Sequence, residues 1–98
     1  MAYVLAWRFT AAAGREEAFR AAYAGDGPWA ALFGHADGYL GTELLAAADG
    51  RTFLTLDRWA SETAFSAFKE RFGAEYAALD RECEGLTAAE ESLGAYTG

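Results

Sequence analysis

Tyr3 to Thr10 reads Y-V-L-A-W-R-F-T, with Tyr3, Leu5, Trp7 and Phe9 at every second position and Val4, Ala6 and Arg8 between them. Period-two alternation with aromatic enrichment predicts a strand, apolar on both faces. Gly14 then precedes Arg15-Glu16-Glu17. Acids in a first turn suit the positive end of a helix dipole, and Phe19, Ala22 and Tyr23 recur at helical spacing, so a helix over about 15–24 is predicted, ending at Gly25. Asp26-Gly27-Pro28 breaks the chain, and Pro28 suits the first position of a short helical segment over Pro28–Phe33. Gly34 to Gly38 reads as a loop. Tyr39–Ala47 and Thr52–Trp59 read as a second and third strand joined at Asp49-Gly50, a hairpin signal, with Gly41 a candidate bulge.

Ser61 can cap the next helix. From there Phe65, Phe68, Phe72, Tyr76, Leu79, Cys83 and Leu86 recur in steps of three and four. That is one long helix, or two that bend at Gly73. Thr87-Ala88-Ala89-Glu90 has the form of a capping box, which predicts a helical turn there. Glu91–Thr97 then forms a fourth strand. The order is strand, helix, strand, strand, helix, strand. It predicts an α+β, ferredoxin-like βαββαβ domain over residues 1–98, a four-stranded antiparallel sheet with helices on one face.

Composition sharpens this. The chain has 24 alanines and 15 aromatic residues but no Ile, Asn or Gln, so its core must be rings and leucines set against alanine. Rings gather on one sheet face: Tyr3, Trp7, Phe9, Tyr39, Phe53 and Trp59, with Glu43 and Asp57 among them. Val4, Ala6, Leu40, Leu44, Leu54 and Leu56 occupy the other. The helices can cover only one face, and an uncovered apolar sheet is uncommon on a monomer. A homodimer by sheet-to-sheet packing is therefore expected, unless the tail or residues 26–38 fold across that face.

Charge and cysteine content remove several functions. Eight basic residues against fifteen acidic give a net charge of −7, the wrong sign for neutralising nucleic-acid phosphates. No apolar run approaches the ~20 residues that span a bilayer, and the N-terminus lacks the pattern of a secretory signal. A lone cysteine, Cys83, can form neither an intrachain disulfide nor a zinc cluster. A cytoplasmic protein is expected, with no metal site and no nucleic-acid or membrane partner.

Leu56-Asp57-Arg58-Trp59-Ala60-Ser61-Glu62-Thr63-Ala64-Phe65, a strand ending in aromatic-x-Ser before an acidic, aromatic-rich helix, resembles the antibiotic biosynthesis monooxygenase (ABM) group of dimeric α+β barrels. Size and element order extend the resemblance over nearly the whole chain. It implies a small aromatic-lined pocket between sheet and helices in each subunit. Some members oxidise polyketide-type phenols with molecular oxygen and no metal or flavin; others degrade haem, and many have no assigned activity. Haem-degrading relatives carry an Asn late in the first strand, where this chain has Trp7. Members often carry a His on the helix after the Trp, where this chain offers Phe68 and Tyr76.

Candidate chemistry follows. Trp7, Trp29, Phe33, Trp59, Phe68 and Tyr76 either fill the core or stack against a flat aromatic ligand. His35, the sole histidine, is an ordinary loop residue or a base for a phenolic proton. Asp57 is either a solvated edge carboxylate or a buried one whose pKa is raised by desolvation. Asp80, Glu82, Glu84, Glu90 and Glu91 read as a solvated face. Two functions remain: a cofactor-independent monooxygenase acting on a small phenolic molecule, or a non-catalytic dimeric binding module.

Overall fold

The computed structural model describes all 98 residues. Strands β1 (Tyr3–Ala11), β2 (Tyr39–Ala46), β3 (Thr52–Trp59) and β4 (Thr87–Thr97) form one sheet in the order β2-β3-β1-β4. All three pairings are antiparallel. Helices α1 (Glu16–Tyr23) and α2 (Pro28–Phe33) connect β1 to β2. Helices α3 (Glu62–Arg71) and α4 (Gly73–Cys83), followed by a 3₁₀ turn at Glu84–Leu86, connect β3 to β4. This is the ferredoxin-like α+β arrangement that the alternation pattern predicts.

Local signals account for most boundaries. Ser61 caps α3, its Oγ accepting the Ala64 amide at 3.1 Å. Pro28 occupies the start of α2, where its missing N–H breaks no helical bond. Asp49 tightens the β2–β3 turn by accepting the amides of Arg51 and Thr52, and these bonds hold its carboxyl below the usual range. The long apolar stripe after Ser61 divides into two helices at Phe72, beside Gly73.

Two expectations need correction. Thr87 to Glu90 form the first part of β4 and make no helical turn. Pairing opposite Ala11, Thr10 and Phe9 of β1 supplies this stretch with a full ladder of partners, and two register shifts accommodate it. A weak local capping signal does not compete with that. The helical turn instead falls just before, at Glu84–Leu86.

The second correction concerns Glu43 and Leu44. Gly41 has φ +141°, and the β2–β3 register shifts between Tyr39 and Gly41. One extra residue reverses the phase of everything after it. Tyr39 faces the helices with Trp59. Beyond the bulge, Thr42 and Leu44 align with Asp57 and Thr55, while Glu43 aligns with Leu56. Glu43 therefore lies on the open face, ion-paired with Arg58, and Leu44 packs against the core.

Rings dominate the helix-covered face. Phe19 and Tyr23 stack at 4.3 Å between centroids, and Phe19 meets Phe53 at 4.8 Å. Phe33 bridges to Trp59 at 5.7 Å and to Phe68 at 5.2 Å. On the opposite face Leu45 and Tyr96 remain exposed, and exposed Leu40 lies at the bulge. The α2 segment packs against α4 and β2 and the C-terminal tail is itself a strand, so neither folds across the open face.

Candidate active site

Between the sheet and the helices lies an open-mouthed cavity of about 210 Å³. For scale, a cavity of ~150 Å³ holds one benzene ring. The sheet contributes Trp7, Phe9, Thr42, Thr55, Asp57 and Glu90; the helices contribute Tyr23, Trp29, Phe33, Tyr76 and Asp80. Strand alternation explains the sheet half. Trp7 and Phe9 of β1 share a face with Thr55 of β3 across the register, and the Gly41 bulge turns Thr42 to the same side as Asp57. On the helical side, Tyr76 and Asp80 stand one turn apart on α4 and present one face to the cavity.

Asp57 is the chemically distinctive group. Thr42 Oγ1 donates to its Oδ1 at 2.7 Å, and Tyr39 Oη lies 2.5 Å from the same Thr42 oxygen. Because the single Thr42 proton is committed to Asp57, Tyr39 is the donor in the second bond. The Asp57 Oδ2 atom is left free of protein donors. Burial raises the Asp57 carboxyl to about 6, with the Thr42 bond opposing the rise. The phenols of Tyr23 and Tyr76 are also pushed up, mainly by desolvation and further by surrounding anions.

Of the sequence-derived candidates, Asp57, Trp7, Trp29, Phe33 and Tyr76 meet at this cavity. Trp59 and Phe68 stand behind the wall, fully buried among rings. His35 lies outside the lining, exposed, with its ring stacked 6.2 Å from that of Phe72. Asp80 and Glu90 read from the sequence as part of a solvated face; both are exposed, yet both rim the cavity. Nothing in the sequence singles out Thr42, because its side is decided by how the strand after Gly41 registers against β3. No group of three His, Cys, Asp or Glu side chains is disposed to hold a metal ion.

The antibiotic biosynthesis monooxygenase family model matches residues 2–79. The chain belongs to that family. Among solved structures it is similar to a mutant form of SnoaB, a cofactor-independent oxygenase from Streptomyces nogalater. That likeness has a TM-score of 0.75 and 20% identity, covering 99% of this chain and 92% of the other. It also resembles PA3566 from Pseudomonas aeruginosa (TM-score 0.70, 19% identity, 99% and 93% covered). A third similar structure is the ActVA-Orf6 monooxygenase of Streptomyces coelicolor in complex with nanaomycin D (TM-score 0.67, 20% identity, 98% and 86% covered). At these identities the structural likeness concerns the fold. No curated protein matches the chain. No helix of this ABM protein is long and apolar enough to cross a membrane.

Proposed function

We propose that this ABM protein is a cofactor-independent monooxygenase that oxidises a small, flat phenolic molecule held between Trp7, Trp29 and Tyr76. One observation carries the reading: a carboxyl raised to about 6, with one oxygen free, in the wall of an aromatic cavity. A base poised near neutrality abstracts protons efficiently without being permanently protonated. Asp57, inside the cavity, takes this role in preference to His35, outside it. The likeness to a cofactor-independent oxygenase supports the same reading.

For an anthrone-type substrate the chemistry balances without a reductant. Asp57 removes one proton from the activated methylene. The resulting carbanion passes one electron to O2, and the radical pair closes a C–O bond to give a peroxide, which Asp57 protonates. Loss of the second methylene proton to Asp57 breaks the O–O bond, giving the ketone and, after that proton returns, water. One oxygen atom enters the product and the other leaves as water. With an oxygen electrode, anthrone should drive uptake of one O2 per molecule oxidised. Tight anthrone binding with no uptake above the uncatalysed rate would mark a non-catalytic binding module instead.

The working unit is proposed to be a homodimer joined through the open sheet face. Leu45 and Tyr96 supply exposed apolar area there, with exposed Leu40 at the adjoining bulge. Arg8 pairs with Glu91 and Arg58 with Glu43, so the charges on that face are already neutralised in place. Light scattering at micromolar concentration should give twice the 10.5 kDa chain mass; a monomer would refute this interface. A cytoplasmic location fits the buried, unpaired Cys83.

A further inference from the structure

The cavity is charged in one sense only. Asp57, Asp80 and Glu90 line it, and no Lys, Arg or His does. Two cations lie near without joining the lining: Lys69 Nζ, 3.9 Å from the centre of the Tyr76 ring, and Arg20, over Phe53. Asp80 and Glu90 form no ion pair. The three carboxylates do not cluster as a chelating set, so a metal ion is not their natural occupant. Aromatic faces joined to uncompensated carboxylates are the usual surroundings of an organic cation.

We propose that the molecule this cavity takes carries a protonated amine beside its aromatic rings, with Asp80 and Glu90 receiving the ammonium at the rim while the rings lie between Trp7, Trp29 and Tyr76. The proposal rests on the cavity being the substrate site and adds a substrate class to it. Tyr76 shows the field that such a ligand would meet: Asp80, Asp57 and Glu90 each push its phenol further up, beyond the effect of burial. A neutral phenol in the same place would resist ionisation for the same reason, and an anionic ligand would be repelled. An ammonium on the substrate itself cancels part of that field, which makes the substrate anion accessible to a carboxylate base.

The test compares three probes of similar shape by isothermal titration calorimetry on the full chain: naphthylmethylamine, naphthylmethanol and naphthoate. The amine should bind about tenfold more tightly than the alcohol, as expected for an ammonium facing rings and half-solvated carboxylates. Naphthoate should bind most weakly. In the doubly substituted Asp80→Asn, Glu90→Gln chain the advantage of the amine should shrink several-fold while the alcohol is unaffected. Both positions are exposed, so the fold should tolerate the changes, and an unchanged thermal melt checks this. Naphthoate binding as well as the amine, an advantage that survives both substitutions, or no binding of any probe would each overturn the proposal. Anthrone oxygen uptake is scored separately. Amine preference without turnover upholds this inference and removes only the oxygenase reading; turnover without amine preference does the reverse.

Discussion

Asp57→Asn is expected to remove oxygen uptake and, in the same molecule, to raise stability above pH 6. The loss should be about 10²- to 10⁴-fold in kcat, the usual contribution of a positioned general base. Asn keeps the shape and can still accept the Thr42 hydroxyl, so binding of a neutral aromatic ligand should change little. In the unsubstituted protein kcat/KM should rise with pH through about 6 as the carboxyl ionises. The stability effect has the opposite sense. The folded carboxyl, at about 6 against an ordinary 3.8, binds its proton more tightly than the unfolded one. Stability contributed by that proton is present below the unfolded value and is lost as pH rises through 6. Asn carries no charge to desolvate, so its advantage should vanish near pH 4 and reach roughly 1–2 kcal/mol above pH 6, discounting for the open mouth of the cavity. Paired pH-dependent melts and oxygen-electrode traces measure both effects. Full activity in the Asn variant would exclude Asp57 as the base; equal stability at pH 8 would show that its ionised form is well solvated.

Such a trade is common where a fold holds a group at odds with its surroundings, and it bears on what the chain alone reveals. Element order is legible because it depends on local periodicity: alternation in β1 and β3, three-four spacing after Ser61, and the Asp49-Gly50 turn all reappear in the structure. The face of a residue is a different matter when a bulge intervenes. Gly41 is visible as a candidate bulge, but its effect is to move Thr42 beneath Asp57 and send Glu43 to Arg58 across the sheet. Nothing between residues 42 and 44 carries that information. Asp80 and Glu90 illustrate a second limit. Each is an exposed acid on its own element, and only the return of β4 alongside β1 sets Glu90 opposite Phe9 and so at the cavity. Alternation marks which residues share a strand face; assembling a site also needs the long-range pairing that decides which faces meet.

Trp59→Ala should be the most destabilising of the tryptophan substitutions, and Trp7→Ala one of the mildest, although the sequence gives these residues equal standing. Trp59 is completely buried and packs against Phe33, Tyr39, Phe65 and Phe68 at centroid distances of 5.7, 5.3, 5.4 and 5.3 Å. Truncating a buried ring of that size costs about 3–5 kcal/mol. A domain of this length holds only ~5–15 kcal/mol in total, and each kcal/mol shifts the melting temperature by roughly 4–8 °C. The Ala variant should therefore melt at least ~12 °C lower or fail to fold. Trp59→Phe separates ring volume from chemistry. The Trp59 indole N–H is buried without a hydrogen-bond partner, and leaving a donor in that state costs about 1–3 kcal/mol. Phe removes this penalty while giving up part of the packed area, so the net change should stay within about 1.5 kcal/mol. Trp7 is only half-buried and lines the cavity. Its truncation should lower the melting point by a few degrees at most, yet weaken aromatic-ligand binding by about tenfold, the worth of one lost stacking surface. Calorimetric melts and ligand titrations on the three variants test the division. If Trp7→Ala proves as destabilising as Trp59→Ala with ligand affinity intact, Trp7 belongs to the core and the aromatic wall of the cavity is set by the other rings that line it, Phe9, Tyr23, Trp29, Phe33 and Tyr76.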